Sequence, residues 1–217
     1  MDGRKVMDRK RLFRIWCGFS ALAAAAILIS VMFLDGPVAN FSKREVHMHM
    51  LVASVPSSVQ IGIILAAVCV MVGLFCILTR RFPNWAEAIL LSAIAAAASL
   101  CLTTLLFKPL FARPNPQLFV YHLRNNFGWH SPGLASSAFP STHAALAAAG
   151  LFVLGLYFAK GRTVCIFCLL AIDALLVIGG WHFISDVLAG NMVGVTIAAL
   201  GCETATLLKA GRHKLIR

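Results

Sequence analysis

Six stretches of this chain, roughly 15–34, 59–79, 88–107, 140–159, 163–181 and 187–208, run apolar for about twenty residues each. Nothing else in the sequence constrains the fold as strongly. The hydrocarbon core of a bilayer is about 30 Å thick and a helix rises about 1.5 Å per residue, so a run of about 20 residues is just long enough to cross. Composition agrees, with 60% hydrophobic and only 12% charged residues, where a soluble domain carries about 25% charged. The expected fold is all-α: a bundle of six transmembrane helices forming a single integral membrane domain over residues 1–217. No internal repeat is visible, and Ala-rich tracts such as "AIAAAAS" suit close helix packing.

The first run follows a basic stretch, "MDGRKVMDRKRLFR", as a secretory leader would. Its apolar part exceeds the roughly 7–15 residues of a leader's core, and no small-residue cleavage site follows "VMFLDGP", so it reads as a span. A formal charge of +11 invites a nucleic-acid reading, but the distribution argues otherwise. Fourteen of the nineteen Lys and Arg fall in the two tails or beside Arg80–Arg81 and Lys160–Arg162, all on one side of the predicted bundle. The other side holds Lys43, Arg44, Lys108, Arg113 and Arg124. The positive-inside rule then places both termini in the cytoplasm. The basic tails are topology signals, helped by anionic lipid, and no nucleic-acid partner is expected.

All seven cysteines lie within predicted spans, so "CIFC" at 165–168 reads as core packing rather than a redox pair. Trp16, Trp85, Trp129 and Trp181 fall near span ends, where interfacial anchors belong. His47 and His49 of "HMHM" read as interfacial. Asp173 lies mid-span, where an acid calls for a polar contact from a neighbouring helix or a functional role.

The remaining polar residues converge. An extracytoplasmic loop of about 108–139 follows span three, and "FPSTH" opens span four on the same face. A helix start offers unpaired N–H groups and roughly half a positive charge, which suits an anion. Ser141 or Thr142 can cap that helix and Pro140 is tolerated at its first turn, but capping gives no reason for His143. "GGWHFISDVLAG" reaches the same face, with His182 and Asp186 one helical turn apart, so a carboxylate can orient an imidazole. Lys108 adds a cation. Such a set suits phosphoryl transfer: an anion cradle, one histidine to attack phosphorus and another to protonate the leaving oxygen. No metal and no cofactor are expected, since a lysine beside His143, His182 and Asp186 disfavours a metal ion.

These residues resemble the type 2 phosphatidic acid phosphatases, membrane enzymes that hydrolyse lipid phosphates through a phosphohistidine. That family carries three motifs in order: Lys, six residues, Arg-Pro; then Pro-Ser-Gly-His; then Ser-Arg, five residues, His, three residues, Asp. The counterparts are "KPLFARPNP" at 108–116, "PSTH" at 140–143 and "LLVIGGWHFISD" at 175–186, with the likeness running over about 59–208. The resemblance implies His182 as nucleophile, Asp186 as its partner, His143 as general acid, and Lys108 and Ser141 as phosphate ligands, with the N–H groups around Ser141. Three positions depart: Asn115 stands for the first arginine, Leu175-Leu176 for Ser-Arg, and Thr142 for glycine. Both guanidiniums that would clamp phosphate are therefore missing. Arg113 or Arg124 is the expected substitute cation, and Thr142 keeps its backbone N–H for the anion.

The resulting expectation is a lipid phosphatase of a membrane, with bacterial inner membrane the composition's suggestion and the active site facing the periplasm. Its partner would be a phosphorylated lipid such as a polyprenyl pyrophosphate or phosphatidate. The oligomeric state is not legible. Two alternatives stay open: a lipid phosphotransferase, whose relatives can lack the arginines, and a non-catalytic lipid-binding or transport relative.

Overall fold

The computed structural model describes residues 9–45, 58–81, 83–114, 116 and 137–215. These residues fold into helices, with no strand among them. Helix α1 (Arg9–Ile29) passes through a π-helical turn (Ser30–Leu34) directly into α2 (Asp35–Glu45). Then follow α3 (Ser58–Thr79) and α4 (Asn84–Leu102), whose own π-helical turn (Thr103–Phe107) leads into α5 (Lys108–Phe111). The rest of the chain forms α6 (Thr142–Tyr157), a 3-10 turn (Ala159–Gly161), α7 (Arg162–Ile178) and α8 (Ile184–Leu215).

Four stretches among the described residues are long and apolar enough to cross a membrane: Trp16–Ser42, Asn84–Phe111, Ala159–Ile178 and Ile184–Lys209. Ala67–Cys76 and Thr142–Tyr157 are shorter apolar stretches. The protein is thus an all-helical, membrane-integral chain. Large apolar side chains such as Met32, Leu78 and Leu105 stand at least 72% exposed on its outer surface, as lipid rather than water demands. Cys101 and Cys168 also face outward, away from the core position expected of them.

Small residues set the packing. Helix α6 is central, touching α8, α4 and α7. It buries Ala144, Ala145, Ala148 and Ala149, a pattern that presents one nearly flat face. Gly190 and Gly194 of α8 lie against that face, where an added Cβ would come within 2.4 Å of the Ser141 carbonyl oxygen and 2.2 Å of the Ala145 carbonyl oxygen. Backbones approach this closely in lipid only through small residues. A second layer joins Ala95, Ala149, Val153 and Ala198 between α4, α6 and α8. At the far end of the bundle Glu87 ties three helices, accepting from the Tyr157 hydroxyl (2.7 Å) and from Lys209.

The first helix departs from expectation. The sequence places a loop from about residue 35, yet helix continues to Glu45. Gly36 and Pro37 should stop it, because proline lacks the N–H that would bond Phe33 and its ring crowds that carbonyl. The widened turn at Ser30–Leu34 ends three residues before the proline and gives the room. The same device precedes Pro109, where the Lys108 N–H bonds the Thr103 carbonyl five residues back.

Candidate active site

Each of these two widened turns ends at a charged residue, Asp35 in one and Lys108 in the other. After Lys108 the short α5 stops at Ala112, which adopts a left-handed conformation (φ 43°) with its N–H on the Lys108 carbonyl (2.9 Å). A left-handed alanine is strained by roughly 1–2 kcal/mol, and the reversal it makes turns Arg113 into the bundle. There the backbone is tied to the far end of the loop, with the Ala138 N–H on the Arg113 carbonyl (2.8 Å) and the Arg113 N–H on Ser137 Oγ (3.2 Å). The loop's two ends are therefore pinned together. Asn115, His122, Arg124, Trp129 and His130 between them lie outside the described residues, as do His47 and His49.

From Ser137 the chain passes a cis Phe139–Pro140 bond, with Phe139 edge-on to Phe111 at 4.8 Å, and enters α6. Ser141 is the cap: its Oγ accepts from the Ala144 N–H at 3.3 Å. The Ser141 N–H donates to the Asp186 carbonyl (2.9 Å), which fastens the start of α6 to the start of α8. Thr142 is buried at the first helical position, and its hydroxyl has no partner among the described residues. His143 follows, half-buried.

The third group comes from the α7–α8 corner. Helix α7 ends in a left-handed glycine turn: Gly180 (φ 69°) donates to the Val177 carbonyl and Trp181 to the Leu176 carbonyl. The His182 N–H reaches the same Leu176 carbonyl (3.2 Å), so the histidine's backbone is held to the end of α7. Leu176, at the position where the resemblance calls for arginine, packs its side chain with Ala144 and Val187. Asp186 occupies the third position of α8 and reaches back to the Phe183 N–H (2.9 Å), as a capping acid does. The oxygen that accepts this bond, Oδ2, lies 3.6 Å from His182 Nδ1. His182 is 8% exposed and Asp186 fully buried. The distance is slightly long for a hydrogen bond, and a small rotation of the ring closes it.

Lys108 is half-buried and near enough to Asp186 to feel its charge. Arg113 stands differently from the expected substitute cation. It is 0% exposed, lies over the Phe183 ring at 4.0 Å, and donates from Nη1 to Ser185 Oγ (2.7 Å) and Asp186 Oδ1. Its Nη2 donates to Asp35 Oδ2 at 2.7 Å. The guanidinium is turned to carboxylates because the Ala112 reversal directs it inward, between the two acids. Asp35 and Ser185 went unread in the sequence, although an acid closing an apolar run, "VMFLD", was a signal for them. Asp173 takes its polar contact from Asn191 on α8 (2.6 Å).

Six buried side-chain polar atoms in the described residues have no partner, and three belong to Thr142, Trp181 and His182 at these two helix starts. Unpaired polar atoms are rare in native interiors and tend to concentrate where a ligand belongs. Among the described residues no three His, Cys, Asp or Glu side chains gather to hold a metal ion.

The PAP2 superfamily profile matches residues 86–206, more than half of the chain. The chain belongs to the PAP2 superfamily. That superfamily is generally phosphatase-type. No curated protein and no solved structure matches the chain.

Proposed function

We propose that this PAP2 protein is a lipid phosphatase that cleaves a phosphate or pyrophosphate monoester of a lipid at the extracytoplasmic face, through a phosphohistidine. The observation that carries the reading is the bond from the Ser141 N–H to the Asp186 carbonyl. It supports one site built from two motifs, because it brings the turn holding His143 beside the turn holding His182 and Asp186. Six crossings with both termini in the cytoplasm go with this reading, α3 and α6 completing the four longer spans.

The chemistry follows from the residues. The start of α6, with the Thr142 hydroxyl and its N–H groups, receives the phosphate together with Ser141 and Lys108. A small rotation of the His182 ring brings Nδ1–H onto Asp186 Oδ2, 3.6 Å away, and leaves the Nε2 lone pair for phosphorus. As the P–N bond forms, the P–O bond to the lipid breaks, and His143 gives its proton to the departing oxygen. Water then attacks the phosphorus and yields a proton to His143. The P–N bond breaks, and inorganic phosphate leaves with His182 restored. Fixed N–H dipoles and the lysine neutralise the charge on the equatorial oxygens, so the step needs no metal ion.

Purified protein and its His182→Ala form, offered a panel of lipid phosphates in chelator, test this. Wild type should release phosphate and His182→Ala should lose at least about a thousandfold, as removal of a nucleophile does. Phosphate release by both forms alike overturns the mechanism. Label passing to an acceptor lipid instead of water makes the protein a phosphotransferase. Lipid binding without turnover by either form makes it a non-catalytic relative.

A further inference from the structure

The region matched by the superfamily profile begins at residue 86, yet one side chain of the buried cluster comes from far outside it. Asp35 stands at the start of α2, 150 residues from Ser185, and is 1% exposed. All its bonding capacity is directed at the site. Oδ1 accepts from the Ser185 N–H (3.1 Å), while Oδ2 accepts from Ser185 Oγ and from Arg113 Nη2. Arg113 is thereby held between two fully buried carboxylates, Asp35 and Asp186.

We propose that Asp35 is a positioning residue that acts through Arg113 on Asp186 and His182, so that the first membrane helix completes the active site. The inference rests on the phosphatase reading and deepens it. Each oxygen of Asp186 has a separate duty: Oδ1 receives Arg113, and Oδ2 faces the Phe183 N–H and His182 Nδ1. With Oδ1 on Arg113 and Oδ2 on the Phe183 N–H the carboxylate is fixed at both oxygens, so Oδ2 keeps its aim on the imidazole. Arg113 in turn has two carboxylates to choose between, and Asp35 fixes its plane by taking Nη2 while Ser185 takes part of Nη1. The charges also fit. Asp35, Arg113 and Asp186 sum to one negative charge in a buried site, which the positive charge that the His182 ring acquires as Nε2 bonds phosphorus with Nδ1 still protonated offsets locally. A purely structural latch between the first helix and α8 would need the Asp35 bonds to Ser185 alone. It would not need a guanidinium that reaches on to the histidine's partner.

The test compares Asp35→Asn, Asp35→Glu, Arg113→Gln and the double variant Asp35→Asn/Arg113→Gln, reading turnover and, independently, vanadate affinity by intrinsic tryptophan fluorescence. Asp35→Asn keeps the shape and removes the charge. It should lower kcat by about 10- to 100-fold with KM within about twofold, as loss of a residue behind a catalytic group does. Vanadate binding, which needs an aligned His182, should weaken by a comparable factor. Asp35→Glu should recover part of both. The double variant should be no worse than Arg113→Gln alone, because the two residues act in series. Unchanged kcat and vanadate affinity in Asp35→Asn overturn the proposal, and so do effects of the two single variants that multiply in the double. If Asp35→Asn fails to fold, Asp35→Glu and the charge-neutral double variant decide by the same criteria. Wild type that binds vanadate but releases no phosphate sinks the hydrolase reading alone, and the affinities still decide the role of Asp35. Wild type that does neither overturns both.

Discussion

Substitution of Gly190 by alanine tests whether the α6–α8 crossing sets the catalytic geometry. The new methyl would lie 2.4 Å from the Ser141 carbonyl oxygen, 3.0 Å from Ala144 Cβ and 3.1 Å from the Ala145 nitrogen. A Cβ does not approach a heavy atom within about 3.0 Å, so the helices must part by at least about 0.6 Å. Two of the three obstacles are backbone atoms, which cannot swing aside. The displacement falls beside the Ser141 N–H bond to the Asp186 carbonyl, now 2.9 Å, and lengthening it equally brings it to about 3.5 Å, where such bonds fail. Overpacking costs about 1–3 kcal/mol and the lost bond about 0.5–1.5 kcal/mol. Alanine's better helix propensity returns up to about 1 kcal/mol. The net is a loss of roughly 0.5–4.5 kcal/mol, or a midpoint lower by a few degrees or more in detergent. Gly194→Ala is the comparison, with its methyl 2.2 Å from the Ala145 carbonyl oxygen but about two helical turns past Asp186. It should destabilise as much and impair turnover less, measured below both midpoints. Wild-type midpoint and turnover in Gly190→Ala would refute the argument, and equal loss of turnover in both variants would refute the link to the site.

Three further substitutions separate local terms. Ser141→Ala removes the cap on the Ala144 N–H but leaves the backbone bond to Asp186, so thermal unfolding should show a loss of about 1 kcal/mol, while a direct hydroxyl contact with phosphate would appear as a raised KM. Gly180→Ala forces a side chain into φ 69° with open space around it, the nearest atom being Ser42 Oγ at 3.5 Å. The expected loss is about 1–2 kcal/mol of backbone strain, and Gly180→Asn should be milder because asparagine tolerates that conformation. Arg113→Ala strands two buried carboxylates and should destabilise by about 3–5 kcal/mol in chemical denaturation. A wild-type unfolding curve would remove the guanidinium from the core of this account.

The helices were legible because lipid imposes a length and an apolar composition that no loop satisfies, and the predicted and observed limits of the later helices agree to within about four residues, except that α8 runs seven residues past its predicted end to Leu215. The continuation of the first helix through Gly36 and Pro37 was not, since a π-helical turn has no signature in residue type. At the candidate site, the four-residue interval between His182 and Asp186 suggested that the two side chains meet, and they come to 3.6 Å, although His182 lies in the turn before α8 rather than on the helix. The Ser141–Asp186 bond, a contact between residues 45 apart beside the packing of Gly190 on α6, was not legible in the sequence. Arg113 shows the limit of reading by position. A basic residue two places from a motif's arginine reads as a substitute for it, but a left-handed Ala112 reverses the chain and sends the side chain to Asp35 and Asp186.

That reversal changes the electrostatics expected of the site. With Leu176 packed against Ala144 and Val187, and Arg113 held by carboxylates, neither described position offers a guanidinium to a bound phosphate. Asp35, Asp186, Arg113 and Lys108 sum to zero formal charge, so the cluster as a whole supplies no excess of positive charge. In the proposed phosphatase, attraction for the anion would then fall on Lys108 itself, on a protonated His143, and on the N–H dipoles at the start of α6. Dipoles of that kind are weak in water and strong in a buried site, because nothing screens them and nothing need reorganise as charge develops. Burial would therefore be a condition of the proposed chemistry. Ser141, Thr142 and Asp186 are each at most 2% exposed, and the alanine and glycine faces that bring α6 and α8 together keep them so.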